Sequence, residues 1–162
     1  MKNLAYMILS FWTVCWLTAP SFSQTAEMYK AEIEETRAIL QQQRITVIKR
    51  TMSLTPSEQE KFWPLYEMYQ ADIKKLGDRE VKLITLYADH FENLTEKVAD
   101  QIVEEHFAIV KAKNELKMKY YPEFKNILPV IKAARFFQIE NKIDALNAND
   151  LARKVPLFEA PE

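Results

Sequence analysis

The chain has 162 residues, with 22 basic and 23 acidic side chains, a formal net charge of −1 and one glycine, Gly77. Near-neutral, well-mixed charge gives no electrostatic footprint for nucleic acid. A single glycine excludes phosphate-cradling loops and glycine-tipped β-hairpins, which need positive φ at several neighbouring positions. The remaining composition, rich in Glu, Lys, Leu, Ala, Gln and Ile, favours long helices joined by short turns, so the expected fold class is all-α with about four helices.

Residues 1–23 read as a secretory signal peptide. Lys2 supplies the positive start, Leu4 to Leu17 is an uncharged and largely apolar run of 14 residues, and Ser21-Phe22-Ser23 places small residues at the two positions a signal peptidase inspects. At 1.5 Å per residue such a run is too short to cross a bilayer core of about 30 Å, so no membrane anchor is expected in the mature form. Cys15 lacks the small residue before it that lipid attachment wants, since Val14 stands there. Cleavage before Gln24 removes this one cysteine and Lys2, which leaves the mature chain near −2 and without a disulfide. The expected organisation is a single helical domain over 24–147 and a mobile tail over 148–162.

The first helix is expected from Thr25 to about Thr51. Ile33, Leu40, Val47 and Leu54 recur every seven residues, Ile45, Ile48 and Met52 make a neighbouring stripe, and the opposite surface from Glu32 to Gln43 is polar. Thr55-Pro56-Ser57-Glu58 is a helix start: Thr55 accepts from the first turn, Pro56 has no N–H to lose, and Glu58 can reach back to complete a capping box. The second helix then carries a long stripe through Phe62, Tyr66, Tyr69, Ile73, Leu76, Glu80, Leu83, Tyr87 and His90. Pro64 falls inside it, and the lost hydrogen bond and ring clash predict a kink or a restarted helix there.

Thr95 is the predicted cap of the third helix, with Glu96 at the positive end of its dipole. That helix carries Ile102, His106, Ile109, Leu116 and Tyr120 on one face and pairs with the second as a long antiparallel hairpin turning at 92–95. Pro122 is expected to bend or end it, and Leu128-Pro129 to mark the next break. A fourth helix from Val130 places Phe136, Ile139, Ile143 and Leu146 on one face, and the pattern dissolves after Asn147.

Catalytic chemistry finds little support. Glu34-Glu35 and Glu104-Glu105 are adjacent on a helix, about 100° apart, which suits solvated faces. No cysteine nucleophile remains, and capping accounts for Ser53 and Ser57. The expectation is a non-enzyme with no cofactor. His90 and His106 are the two imidazoles; the hairpin register separates them by about 12 Å along the axis, so no metal site is assigned and His106 reads as a packed or pH-responsive residue.

Leu54-Thr55 and Leu94-Thr95 stand forty residues apart, each opening a long helix. With the export signal and the short helical chain, they resemble the Spy/CpxP family of periplasmic stress proteins, whose hallmark is a repeated Leu-Thr-x-x-Gln. Residues 54–66 are also similar to exported proteins labelled sensors of extracytoplasmic-function sigma factors. The fifth motif position departs from the pattern, being Glu58 in the first copy and Val98 in the second. The resemblance implies a periplasmic helical hairpin with flanking helices, dimerised into a cradle, that either holds unfolded or partly folded protein clients without ATP or restrains a stress-sensor protein; zinc binding occurs in other branches. It carries Leu54, Thr55, Leu94 and Thr95 over as helix openers, with Glu58 in the cap. Trp63, Tyr69, Tyr87, Tyr120, Tyr121, Phe136 and Phe137 are the candidate protein-binding aromatics. Aromatics at helical spacing ordinarily build a core or a dimer seam, and that reading stands beside the binding one for each of them. A structural dimer with neither activity is the third alternative.

Overall fold

The computed structural model describes residues 22–157, with side chains from Ile33 onward apart from Lys154. The signal-peptide prediction over residues 1–21 and the tail beyond residue 157 lie outside the described residues. The fold is all-α: helices α1 (Phe22–Thr51), α2 (Pro56–His90), α3 (Glu96–Ile127) and α4 (Val130–Lys154), with a 3₁₀ turn at Phe91–Asn93 and no strand among the described residues. The chain divides into two compact units between Gln43 and Arg44, inside α1. In the first, Arg37 donates to Glu34 at 2.7 Å, one helical turn away.

The second unit holds the core. Ile48 and Met52 of α1, Phe62, Tyr66 and Tyr69 of α2, Tyr120 and Phe124 of α3, and Ala133 and Phe136 of α4 are buried together, and Leu54 packs at the margin. On the part of α1 that belongs to this unit, the face toward the core is therefore the Ile45, Ile48 and Met52 stripe, while Val47 of the heptad series remains 40% exposed. Successive helical residues point about 100° apart, so Ile48 and Val47 cannot both face the same core.

Both predicted caps form. Thr55 Oγ1 accepts from the Glu58 N–H at 3.3 Å while the Thr55 N–H donates to Glu58 Oε2 at 2.7 Å, which closes the capping box. Thr95 Oγ1 accepts from the Val98 N–H at 3.3 Å, but Val98 has nothing to return. Between α1 and α2 the chain turns at Ser53 with φ of 48°, so a serine takes the left-handed position rather than capping a helix, and Gly77 stands inside α2. Lys132 of α4 pins this turn, donating to the Ser53 carbonyl at 3.0 Å and to Glu58 Oε2 at 2.6 Å.

The helices do not restart or end at their prolines. α2 runs through Pro64 and α3 through Pro122. Each proline costs about 3 kcal/mol, yet each is bracketed by buried rings, Phe62 and Tyr66 or Tyr120 and Phe124, and burying one such side chain returns about 1.5–3 kcal/mol. α4 likewise continues past Asn147 to Lys154, and the Tyr87 hydroxyl donates to the Pro156 carbonyl at 2.8 Å just beyond it. Contacts from Asp72 to Tyr120 (2.9 Å), Glu80 to Lys113 (2.6 Å) and Arg79 to Glu105 (2.9 Å) run in opposite chain directions, which makes α2 and α3 an antiparallel hairpin.

The two caps differ in a way that stability reads out. Thr55→Ala is expected to cost about 1 kcal/mol, and Thr95→Ala less, because only Thr55 closes a reciprocal pair; the urea midpoint should fall at an unchanged slope. Hydrogen bonds from Lys132 and from the Thr55 backbone hold the Glu58 carboxyl below its ordinary value of 4.5. Its contribution is therefore present above that pH and lost as pH falls through the lowered folded value, so Glu58→Gln should flatten the acid limb of the stability curve.

Candidate functional site

α3 is apolar on two neighbouring faces. Ile102, Ile109, Tyr120 and Phe124 face inward and are buried. About 100° around the helix, Val103 (41% exposed), Phe107 (65%), Val110 (41%) and Met118 (73%) form an outer stripe at helical spacing. Exposed apolar residues aligned in this way, though interrupted by Asn114, make this face the candidate interaction surface.

The stripe leads into a groove between α3 and α4. The groove is a shallow concavity of about 780 Å³, open to solvent and lined by Met118, Tyr121, Ala134 and Phe137, with Asn114 and Lys142 among the polar residues at its margin. Tyr121 and Phe137 meet edge to face at 5.6 Å, and Lys125 lies 4.8 Å from the Tyr121 ring centre. The groove thus offers apolar walls, aromatic edges and cationic rims, a surface that takes apolar side chains without directional chemistry.

A buried ionic cluster supports α4 behind this surface. Glu140 is fully buried; Arg44 of α1 donates to its Oε2 at 2.5 Å and Gln70 of α2 approaches the same oxygen at 3.4 Å. Arg44 also reaches Asp144 at 3.3 Å, and Lys117 of α3 donates to Asp144 at 2.7 Å and to Asn141 at 2.9 Å. All four helices therefore contribute to one network. Glu140 Oε1 and the Tyr69 hydroxyl are buried together beside it, close enough to interact but without a well-formed hydrogen bond. Burial pushes the Glu140 carboxyl above its usual range, with Arg44 opposing and Asp144 adding to the shift. Burial works against the Arg44 charge too, but the fields of Glu140 and Asp144 outweigh it and raise that pKa. The Tyr69 phenol is pushed far up, chiefly by burial.

Against this geometry the candidate aromatics separate. Tyr69, Tyr87, Tyr120 and Phe136 are buried and offer no surface to a partner; Tyr120 is further fixed by its hydroxyl on Asp72 at 2.9 Å. Trp63 is half-buried against Phe62 with Lys49 5.4 Å from its ring, remote in sequence from the groove residues and absent from the groove lining. Tyr121 and Phe137 are the pair brought to the groove. Thr55 with Glu58 caps α2 and Thr95 caps α3, while Leu54 and Leu94 stand half-buried immediately before the two caps.

His106 is exposed rather than packed, because it sits at the border of the buried stripe of α3. His90 Nδ1 lies 2.9 Å from the Leu86 carbonyl of its own helix. Among the described residues no group of three His, Cys, Asp or Glu side chains is arranged to hold a metal ion, and no described helix is long and apolar enough to cross a membrane.

The outer stripe and the ionic cluster were not singled out by sequence. For Phe107 the signal was present, since Val103, Phe107 and Val110 are as periodic as Ile102, Ile109 and Leu116. For Glu140 the signal was its place one turn beyond Phe136 on the apolar face, where a solvated carboxylate does not belong.

No protein-family model matches the chain, and neither a curated protein nor a solved structure matches it.

The cluster makes a sharp prediction. Arg44→Met leaves a buried charge without its partner and should cost about 3–5 kcal/mol, whereas Arg44→Met combined with Glu140→Leu should recover most of that loss; chemical denaturation of the four corners of this cycle measures the coupling. Because burial raises the Glu140 pKa in the folded state, this group's contribution to stability is fully present below the ordinary carboxylate value of 4.5 and is lost as pH rises through the raised folded value. Glu140→Gln should remove that decline.

Proposed function

We propose that the chain is an exported, non-enzymatic helical binding protein of the envelope, acting in protein quality control by holding apolar segments of unfolded or partly folded proteins on the α3–α4 face. The observation that carries this reading is the exposed stripe of Val103, Phe107, Val110 and Met118 running into the groove lined by Tyr121 and Phe137. The paired Leu-Thr helix openings and the N-terminal leader pattern support the periplasm as its place of work and the Spy/CpxP group as its relatives.

Binding of this kind needs no ATP. Each Å² of apolar area removed from water contributes about 25 cal/mol, so a client segment covering a few of these side chains is held weakly and without regard to sequence. The charged residues that flank the stripe, Asp100, Glu104, Lys111 and Glu115, keep the holder soluble and limit how far a client spreads over it. An open groove suits this better than a closed pocket, because a client must enter and leave as a chain.

Light scattering from two unrelated unfolding clients, with the exported protein added at rising ratios and without ATP, tests the reading. Suppression of both is expected, weakened several-fold by Phe107→Asp or Met118→Asp and unchanged by Met68→Asp on the exposed face of α2. No effect on either client, from a protein shown to be folded, would overturn the chaperone reading in favour of a single dedicated partner such as a stress-sensor domain.

A further inference from the structure

The groove between α3 and α4 changes character along its length. Contacts of Lys117 with Asn141 and Asp144, and of Tyr121 with Phe137, fix which residues face one another across it. At one end Tyr121 of α3 stands opposite Ala134 and Phe137 of α4; at the other, Asn114 and Lys117 stand with Asn141 and Lys142 around Ala145. Met118 and Gln138 lie between. Polarity therefore runs from aromatic rings to amides and ammonium groups within one groove.

The polar end is a set of donors. No carboxylate lines the groove. Lys142 is exposed and makes no ion pair among the described residues. Lys117 is tied to Asp144 at 2.7 Å and to the Asn141 side-chain oxygen at 2.9 Å, which leaves the Asn141 amide N–H groups to donate. Asp144, the carboxylate beside this end, is held by Lys117 and by Arg44 at 3.3 Å, so two cations offset its charge. An anionic head placed here meets an ammonium group with no counter-charge and amide donors beside it, and charge-assisted hydrogen bonds of that kind are the strong ones. At the other end Lys125 approaches the Tyr121 ring at 4.8 Å but does not line the groove, which leaves Met118, Ala134 and the two rings to face the apolar part of a ligand.

We propose that the groove binds a free single-chain carboxylate amphiphile, its head at Lys142 and Asn114 and its chain lying past Met118 to the Tyr121 and Phe137 rings. From Asn114 to Tyr121 the helix rises about 10 Å, and from Ala134 to Ala145 about 16 Å. A saturated chain with C–C bonds of about 1.5 Å advances roughly 1.25 Å per carbon, so about eight to twelve carbons run the length of the groove. Its volume of about 780 Å³ is of the size that small-molecule sites have, with apolar walls and a few placed polar groups. Charge selects the occupant: a cationic amphiphile meets Lys142 with like charge, and an uncharged apolar segment leaves that ammonium group without a partner. The ligand ends at Asn114, short of Val110 and Phe107, so it takes one end of the apolar face and competes there for Tyr121 and Phe137. The assignment stands on the lining of the groove and does not rest on the chaperone reading.

Calorimetric titration of the exported protein with decanoate, kept below its micellar concentration, tests the assignment. Saturable binding at one site per chain is expected, with decanol and decyltrimethylammonium each held at least several-fold more weakly. Lys142→Glu should weaken decanoate at least several-fold and leave decanol unchanged, which separates a contact with the head from a loss of structure. Ala134→Trp, at an exposed position, fills the apolar end and should weaken both ligands; Met68→Asp on α2 should change neither. Each variant should keep the helical signal of the unaltered chain. Absence of saturable decanoate binding by the folded protein would overturn the proposal. So would binding equal for all three head groups and indifferent to Lys142→Glu, the mark of general apolar adsorption. Binding to vesicles of anionic phospholipid without binding of free decanoate would replace the proposed ligand with a membrane surface. Decanoate bound as described to a protein that suppresses no aggregation sinks the chaperone reading alone, and aggregation suppressed without saturable decanoate binding sinks this assignment alone.

Discussion

Phe124 of α3 and Phe136 of α4 lie with ring centres 4.5 Å apart, and Phe62 of α2 touches both, at 5.5 and 5.3 Å. Three helices are thereby fixed on one set of rings, with Tyr66, Tyr69 and Phe137 extending it and Ile48 and Met52 bringing in the end of α1. Edge-to-face and tilted ring contacts add about 0.5–1.5 kcal/mol each beyond the area they bury. The arrangement explains how two helices run through prolines. Pro64 and Pro122 stand beside residues that cannot leave the ring cluster without unmaking it, so each helix continues past its proline at the cost of a missing hydrogen bond.

The ionic cluster around Glu140 is a different kind of tie. A core built of rings is non-directional and tolerates sliding along the helix axes, whereas Arg44, Gln70 and Lys117, one from each of the other three helices, converge on Glu140 and its α4 neighbour Asp144. Its net energy is small, because desolvating the charges costs nearly as much as their attraction returns. Its geometric demand is large. Only one register of α4 brings Glu140 to Arg44 and Asp144 to Lys117 together, and that register is the one that places Phe137 against Tyr121 in the groove.

α3 joins the core to the surface. Its inner stripe packs on α2 and α4, and its outer stripe, one residue further along the sequence, is exposed among the described residues. On α2, by contrast, Phe62, Tyr66 and Tyr69 fall on a single stripe, and the exposed large apolar residues are Met68 and Ile84, sixteen positions apart.

The amino-acid sequence by itself determined the all-α class, the caps at Thr55 and Thr95, the break at Leu128-Pro129 and the hairpin of α2 with α3. Each of these follows from local physics, a side chain answering backbone groups within one helical turn or an apolar period repeated over many. Tertiary structure alone decided which of two equally periodic stripes on α1 and on α3 went inside, that the prolines would be carried within helices, that Ser53 would adopt a positive φ in a turn held by Lys132, and that Glu140 would be buried. These outcomes depend on residues far apart in the chain. Adjacent helical stripes differ by one residue and about 100° of rotation, and only the placement of the neighbouring helices tells the inner stripe from the outer one.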